Sequence, residues 1–109
     1  MATTYKVLGQ SNPSATTATT LYTVPSATQA VVSTISVCNQ ASTAATFRIA
    51  VRPAGAALAA QHYVVYGATV PASDSTMITV GLTLATTDVV TVYASSANLS
   101  FNAYGSEIA

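Results

Sequence analysis

The chain has 109 residues, the size of a single domain and enough to bury a packed core. Only 6% of it is charged, with Lys6, Arg48 and Arg52 balanced by Asp74, Asp88 and Glu107, where an average globular protein carries roughly a quarter. Three cations can neither neutralise a phosphate backbone nor hold an anionic bilayer, so neither nucleic acid nor membrane is expected as a partner.

Residues 1–19 read as an N-terminal arm and residues 20–109 as a β-sandwich domain. In the arm, Tyr5-Lys6-Val7-Leu8 can form a short strand, and residues 9–19 are low-complexity and rich in turn formers, with Pro13 fixing its own φ. The apolar Tyr5, Val7 and Leu8 make this a segment that docks on a partner, and they are candidate interface residues. Residues 21–24 form the next β segment, stopped at Pro25. Residues 30–38 alternate, with Val31, Ile35 and Val37 on one face and Val32, Thr34, Ser36 and Cys38 on the other. Residues 39–43 read as a turn.

Residues 45–52 have the cleanest alternation, with Phe47, Ile49 and Val51 facing one way and Arg48, Ala50 and Arg52 the other. That is the pattern of a half-buried antiparallel strand. Pro53-Ala54-Gly55 breaks it, and the Ala-rich residues 56–61 read as an irregular loop or a single helical turn. Residues 62–66 (HYVVY) are strongly β and stop at Gly67. Residues 70–74 are a turn. Residues 75–84 place Ile78, Val80, Leu82 and Leu84 on one face. Residues 88–94 are a further strand, and residues 99–104 put Leu99, Phe101 and Ala103 on one side. Val24-Pro25 and Val70-Pro71 echo each other, each ending a β segment before an alternating strand. This is either two equivalent corners of one fold or coincidence in a Thr/Ala/Val-rich chain.

Seven or eight short strands, with no amphipathic helix of normal length, predict an all-β fold. A parallel sheet would need crossover helices that this sequence lacks. A single antiparallel β-sandwich is expected, with jelly-roll and immunoglobulin-like topologies both open.

Chemistry is sparse. Cys38 is the sole cysteine, so neither an intrachain disulfide nor a cysteine-based zinc site is expected. The N-terminus lacks a charged region followed by an apolar one, so no signal peptide is expected, and no stretch is apolar enough to span a bilayer. His62 is the only histidine, and without a G-x-S-x-G elbow it has no recognisable nucleophile to serve. Asp74 and Asp88 each precede a strand, the usual place of a turn aspartate. No phosphate-binding glycine motif occurs. No catalytic residue, cofactor or metal site is expected, and the chain does not read as an enzyme.

Contact residues are easier to find. Arg48 and Arg52 share one strand face among neutral neighbours, where they serve either to pair with acids on a neighbouring subunit or as an ordinary solvated face. Six tyrosines with no tryptophan suit contact surfaces, and Tyr63, Tyr66 and Tyr93 are the ones that would face a glycan.

The stretches TLYTVPSATQAVVSTISVCNQASTAATFRIAV (20–51), HYVVYGATVPASDSTMITVGLTL (62–84) and VYASSANLSFNAYGSEI (92–108) resemble small virion-associated proteins of tailed bacteriophages. The resemblance lies in the overall pattern of most of the chain. It implies a capsid decoration (cement) protein or, as the alternative, a tail, baseplate or fibre component that binds glycan or receptor. It further implies a virion location after assembly in the host cytoplasm. The implied partners are the major capsid protein or other virion proteins, with the chain a homo-oligomer and a trimer favoured.

Overall fold

The computed structural model describes residues 2–109. Met1, the first residue of the expected arm, lies outside the described residues. The described residues form eight strands: β1 (Thr3–Ser11), β2 (Thr19–Thr23), β3 (Gln29–Asn39), β4 (Ala45–Arg52), β5 (Tyr63–Val70), β6 (Ser75–Leu84), β7 (Val89–Ala94) and β8 (Leu99–Ile108). Two single 3₁₀ turns, Pro53–Gly55 and Ala60–His62, interrupt the β4–β5 connection. The strands make two four-stranded antiparallel sheets, ordered β1-β8-β3-β6 and β2-β7-β4-β5.

The alternation read from the sequence explains the packing. One side of each sheet is apolar, and the two apolar sides meet in a single core. Phe47, Ile49, Val90 and Val92 fill it from one sheet, and Val32, Ile35, Val37, Leu99 and Phe101 from the other. Phe47 meets Phe101 edge-on across the gap, ring centroids 6.0 Å apart, the geometry that aromatic quadrupoles favour.

In β3 the expected faces are correct for Ile35 and Val37 but inverted before them. Val32, not Val31, is fully buried. The register with both neighbouring strands shifts between Val32 and Thr34, so Ser33 is an extra residue that moves the earlier side chains to the opposite face. Two strands also run further than expected: β5 continues through Gly67, which takes φ +77°, to Val70, and β8 continues to Ile108.

The segment expected to be a docking arm is integrated into the fold. Residues 3–11 pair along β8 as an edge strand, and Leu8 enters the core with 9% of its surface exposed. A register shift between Val7 and Gly9 makes Leu8 the extra residue and turns it inward. Simple alternation would have placed Leu8 opposite Val7 without showing where either pointed.

The Val-Pro echo marks two equivalent corners. Val24 and Val70 are both buried, and each Pro is followed two residues on by a residue in left-handed backbone, Ala27 at φ +54° and Ser73 at φ +50°. Each corner carries the chain from the β2-β7-β4-β5 sheet into the other, β2 to β3 and β5 to β6. Buried Asn39 secures the second corner. Its amide donates to the carbonyls of Thr43, Val70 and Pro71 at 2.9, 3.2 and 3.2 Å, and its Oδ1 accepts from the Ala41 N–H.

Candidate contact surfaces

The outer face of the β1-β8-β3-β6 sheet is built from cross-strand rows. Tyr5 pairs with Ser106 and Ser106 with Val31; Val7 pairs with Tyr104 and Tyr104 with Thr34; Asn102 pairs with Ser36 and Ser36 with Met77. Directly opposed residues share a face, so these rows form one surface. Among the described residues, no charged side chain occupies a strand position on it. Tyr5 and Met77 are 84% and 70% exposed, with Val7 and Tyr104 also open. Short polar links run beneath them. The Gln10 amide donates to Asn102 Oδ1 at 2.7 Å, the Ser33 hydroxyl donates to the Tyr104 carbonyl at 3.1 Å, and the Tyr104 and Ser36 hydroxyls lie 3.4 Å apart.

The two charges nearest this face turn away from it. Lys6 pairs across the ladder with Gly105, in the row of the buried Val32, and its Nζ lies 3.0 Å from Glu107 Oε1. The Tyr22 hydroxyl, from the opposite sheet, donates to Glu107 Oε2 at 2.5 Å. The Tyr22 hydrogen bond, then the one from Lys6, holds the Glu107 carboxyl below its ordinary range. Burial, reinforced by the hydrogen bond and charge of Glu107, pushes the Tyr22 phenol well above its own.

The outer face of the other sheet is different in kind. Arg48 lies directly across from Tyr66 on one side and Tyr93 on the other. Its guanidinium carbon is 4.2 Å from the Tyr66 ring centroid and 4.3 Å from that of Tyr93, so the cation lies against two π-faces. Tyr63 stands edge-on to Tyr66 at 4.9 Å. Arg52 donates from Nε to Thr91 Oγ1 at 3.0 Å and from Nη1 to the carbonyls of Ala56 and Gly55 at 3.0 and 3.3 Å. Asp88 accepts the Ala54 N–H at 2.9 Å and the Ala85 N–H at 2.9 Å, pinning this loop and the β6–β7 turn together. The loop walls a groove of about 560 Å³, lined by Leu58, Ala59, Ala60, Tyr63 and Tyr66. His62 Nδ1 accepts the Ala59 N–H at 3.1 Å, closing the turn that leads into β5.

The five interface candidates therefore do not form one surface. Tyr5 and Val7 are on the neutral face, Leu8 is in the core, and Arg48 and Arg52 are on the opposite sheet, both engaged within the chain. Tyr63, Tyr66 and Tyr93 are brought together around Arg48. Sequence reading did not single out Met77 and Tyr104, which stand exposed on the neutral face with Tyr5 and Val7. The signal for Met77 was present, since it alternates with the inward Ile78. Among the described residues, no cluster of three or more His, Cys, Asp or Glu side chains can hold a metal ion.

Compared with known proteins, the chain matches no family, no curated relative and no solved structure.

Proposed function

We propose that this chain is a structural protein of a bacteriophage particle, a capsid decoration protein that stabilises the shell by packing against other virion chains. The observation that carries the reading is the outer face of the β1-β8-β3-β6 sheet. It is broad, uncharged and hydroxyl-rich, and Tyr5, Val7, Tyr104 and Met77 stand open on it. Interfaces are enriched in tyrosine and methionine and depleted of charge at their centres. Many copies on a symmetric lattice turn modest contacts of this kind into a large total stabilisation.

We further propose that the sandwich is a jelly roll. The pairings β1 with β8, β2 with β7, β3 with β6 and β4 with β5 are those of one long hairpin folded over on itself, which favours this topology over the immunoglobulin-like one. Jelly rolls build viral capsids and lectins alike, so this topology is compatible with either virion role.

Quantitative mass spectrometry of purified particles tests the role. Copies in the hundreds, in fixed ratio to the major capsid protein, are expected. A handful would move the protein to the tail or baseplate, and absence would end the virion reading.

The tyrosine cluster around Arg48 favours a second reading, a fibre or baseplate module that binds glycan. Aromatic faces stack on sugar rings, and the groove beside Tyr63 and Tyr66 is open to solvent. A glycan array with wild type and Tyr66→Ala separates the two, because only a glycan-binding module gives a signal that the variant loses.

A further inference from the structure

We propose that the Ser75–Thr79 stretch of β6 is a self-association edge, through which two copies join antiparallel about a twofold axis at Met77 into one continuous eight-stranded sheet. The inference is independent of where the protein acts.

Two sheets present four edges: β1 and β6, β2 and β5. An open edge invites another strand, and proteins block edges with charge, brevity or bulges. Three of these edges are blocked. β1 carries the inward-turned Lys6 and a register shift between Val7 and Gly9. β2 has only five residues and a shift between Thr20 and Tyr22. β5 is interrupted twice in its pairing with β4 and has Gly67 at φ +77°. β6 is ten residues long, with neither charge nor proline. Its irregularity falls after Thr79, near Gly81 at φ +58°, which leaves Ser75 to Thr79 in unbroken register with Cys38 to Thr34.

The free edge has the correct hydrogen-bonding groups. The Asn39 N–H donates to the Asp74 carbonyl at 2.8 Å, so Asp74 points toward β3. Antiparallel alternation then turns Thr76 and Ile78 toward β3, and the N–H and C=O groups of Ser75, Met77 and Thr79 outward. A twofold axis at Met77 pairs those groups reciprocally. Met77 meets its symmetry mate, Ser75 meets Thr79 of the second copy, and Thr76 meets Ile78 of the second copy. Every pair keeps to its own face, and no like charges are opposed.

The core also points to this edge. On the β1/β2 side the two sheets are closed by Tyr22, Glu107 and the contact of Gly9 with Leu21. On the far side, Ile78, Val80 and Leu82 of β6 and Val65 and Ala68 of β5 remain only partly buried against the core. A second β6 extends the apolar layer across Ile78. A second copy of the chain is the occupant that fits, because it brings the same uncharged strand, in register by symmetry, and twofold pairing is the commonest closed arrangement of identical chains. An edge of this length buries less than a standard interface, so association is concentration-dependent.

Sedimentation velocity over roughly 1 μM to 1 mM tests this. A monomer–dimer equilibrium is expected. Met77→Lys should weaken it by roughly 100-fold, with part of the loss recovered in high salt as the two ammoniums are screened. Its circular dichroism, and its melting temperature at concentrations where the chain is monomeric, should be unchanged, because Met77 is exposed. Met77→Pro removes an outward N–H and should abolish the dimer. If it fails to fold, cross-linking decides. In a Cys38→Ser background, Met77→Cys should be bridged to a covalent dimer by a short bis-maleimide, since hydrogen-bonded antiparallel pairs sit about 5.5 Å apart at Cα, within reach of the reagent though wide for a direct disulfide. Thr23→Cys, on the β2 edge, should not. A monomer throughout the series, or an oligomer of any order, a trimer included, that ignores Met77→Lys and does not cross-link at residue 77, overturns the proposal.

Discussion

The Tyr22 hydroxyl of β2 donates a 2.5 Å hydrogen bond to the Glu107 carboxylate of β8, joining the two sheets where the core meets solvent. Lys6 of β1 completes the cluster at 3.0 Å. Three residues widely separated in the chain thus close one side of the sandwich, and the three strands concerned carry their only charges or inward phenol there.

Tyr22→Phe removes the phenolic donor but keeps the ring that packs in the core. The loss should be about 1–2 kcal/mol, typical of a hydrogen bond to a charged acceptor that water can partly replace. Urea denaturation should show a lower midpoint at unchanged slope. An unchanged midpoint would mean that this bond adds nothing to stability.

The same cluster predicts two pH limits. The folded-state pKa of Glu107 is lowered, so its contribution is complete above the ordinary carboxyl value of 4.5 and is lost as pH falls through the lowered one. The folded-state pKa of Tyr22 is raised, so its contribution is complete below the ordinary value of 10.0 and is lost as pH rises beyond it. Melting temperature against pH should be flat between these limits and fall at both ends. Glu107→Gln should flatten the acid decline, and Tyr22→Phe should reduce the alkaline one.

Gly9 and Gly105 permit backbone approaches that a side chain forbids. A Cβ at Gly9 would collide with the Leu21 carbonyl, and one at Gly105 with the Val31 carbonyl. Both obstacles are main chain and cannot rotate away. Gly9→Ala and Gly105→Ala should each cost roughly 3 kcal/mol or more. Gly81→Ala meets open space and suffers only the strain of its positive φ, so it should cost about 1 kcal/mol. Thermal melts of the three variants check this ordering.

Deleting residues 2–11 should unfold or severely destabilise the chain. It removes β1, takes Leu8 from the core and leaves the ten-residue β8 as an open edge. Circular dichroism of the truncated protein decides. A native-like spectrum with a cooperative melt would restore the view of this segment as a separable arm.

Local chemistry made the all-β class readable in the sequence. Strict alternation in residues 45–52 and 99–103 required half-buried strands, and Pro25, Pro71, Asp74 and Asp88 sit where the turns are. The low charge likewise limits how much charged surface there can be, because six charged residues cannot cover two sheets. What alternation cannot show is register, since one extra residue inverts every side chain beyond it. The shift at Ser33 exchanged Val31 for Val32, and the shift at Leu8 sent an expected contact residue into the core. Nor can a strand's own residues show which strand lies beside it. Arg48 reads in sequence as a cation that shares a strand face with Arg52 among neutral neighbours, and only the placement of β5 and β7 on either side puts it between Tyr66 and Tyr93. Long-range pairing decided that β1 belongs to the core sheet and that β6 is the edge left open, because both depend on contacts between residues far apart in the chain, which no local pattern records.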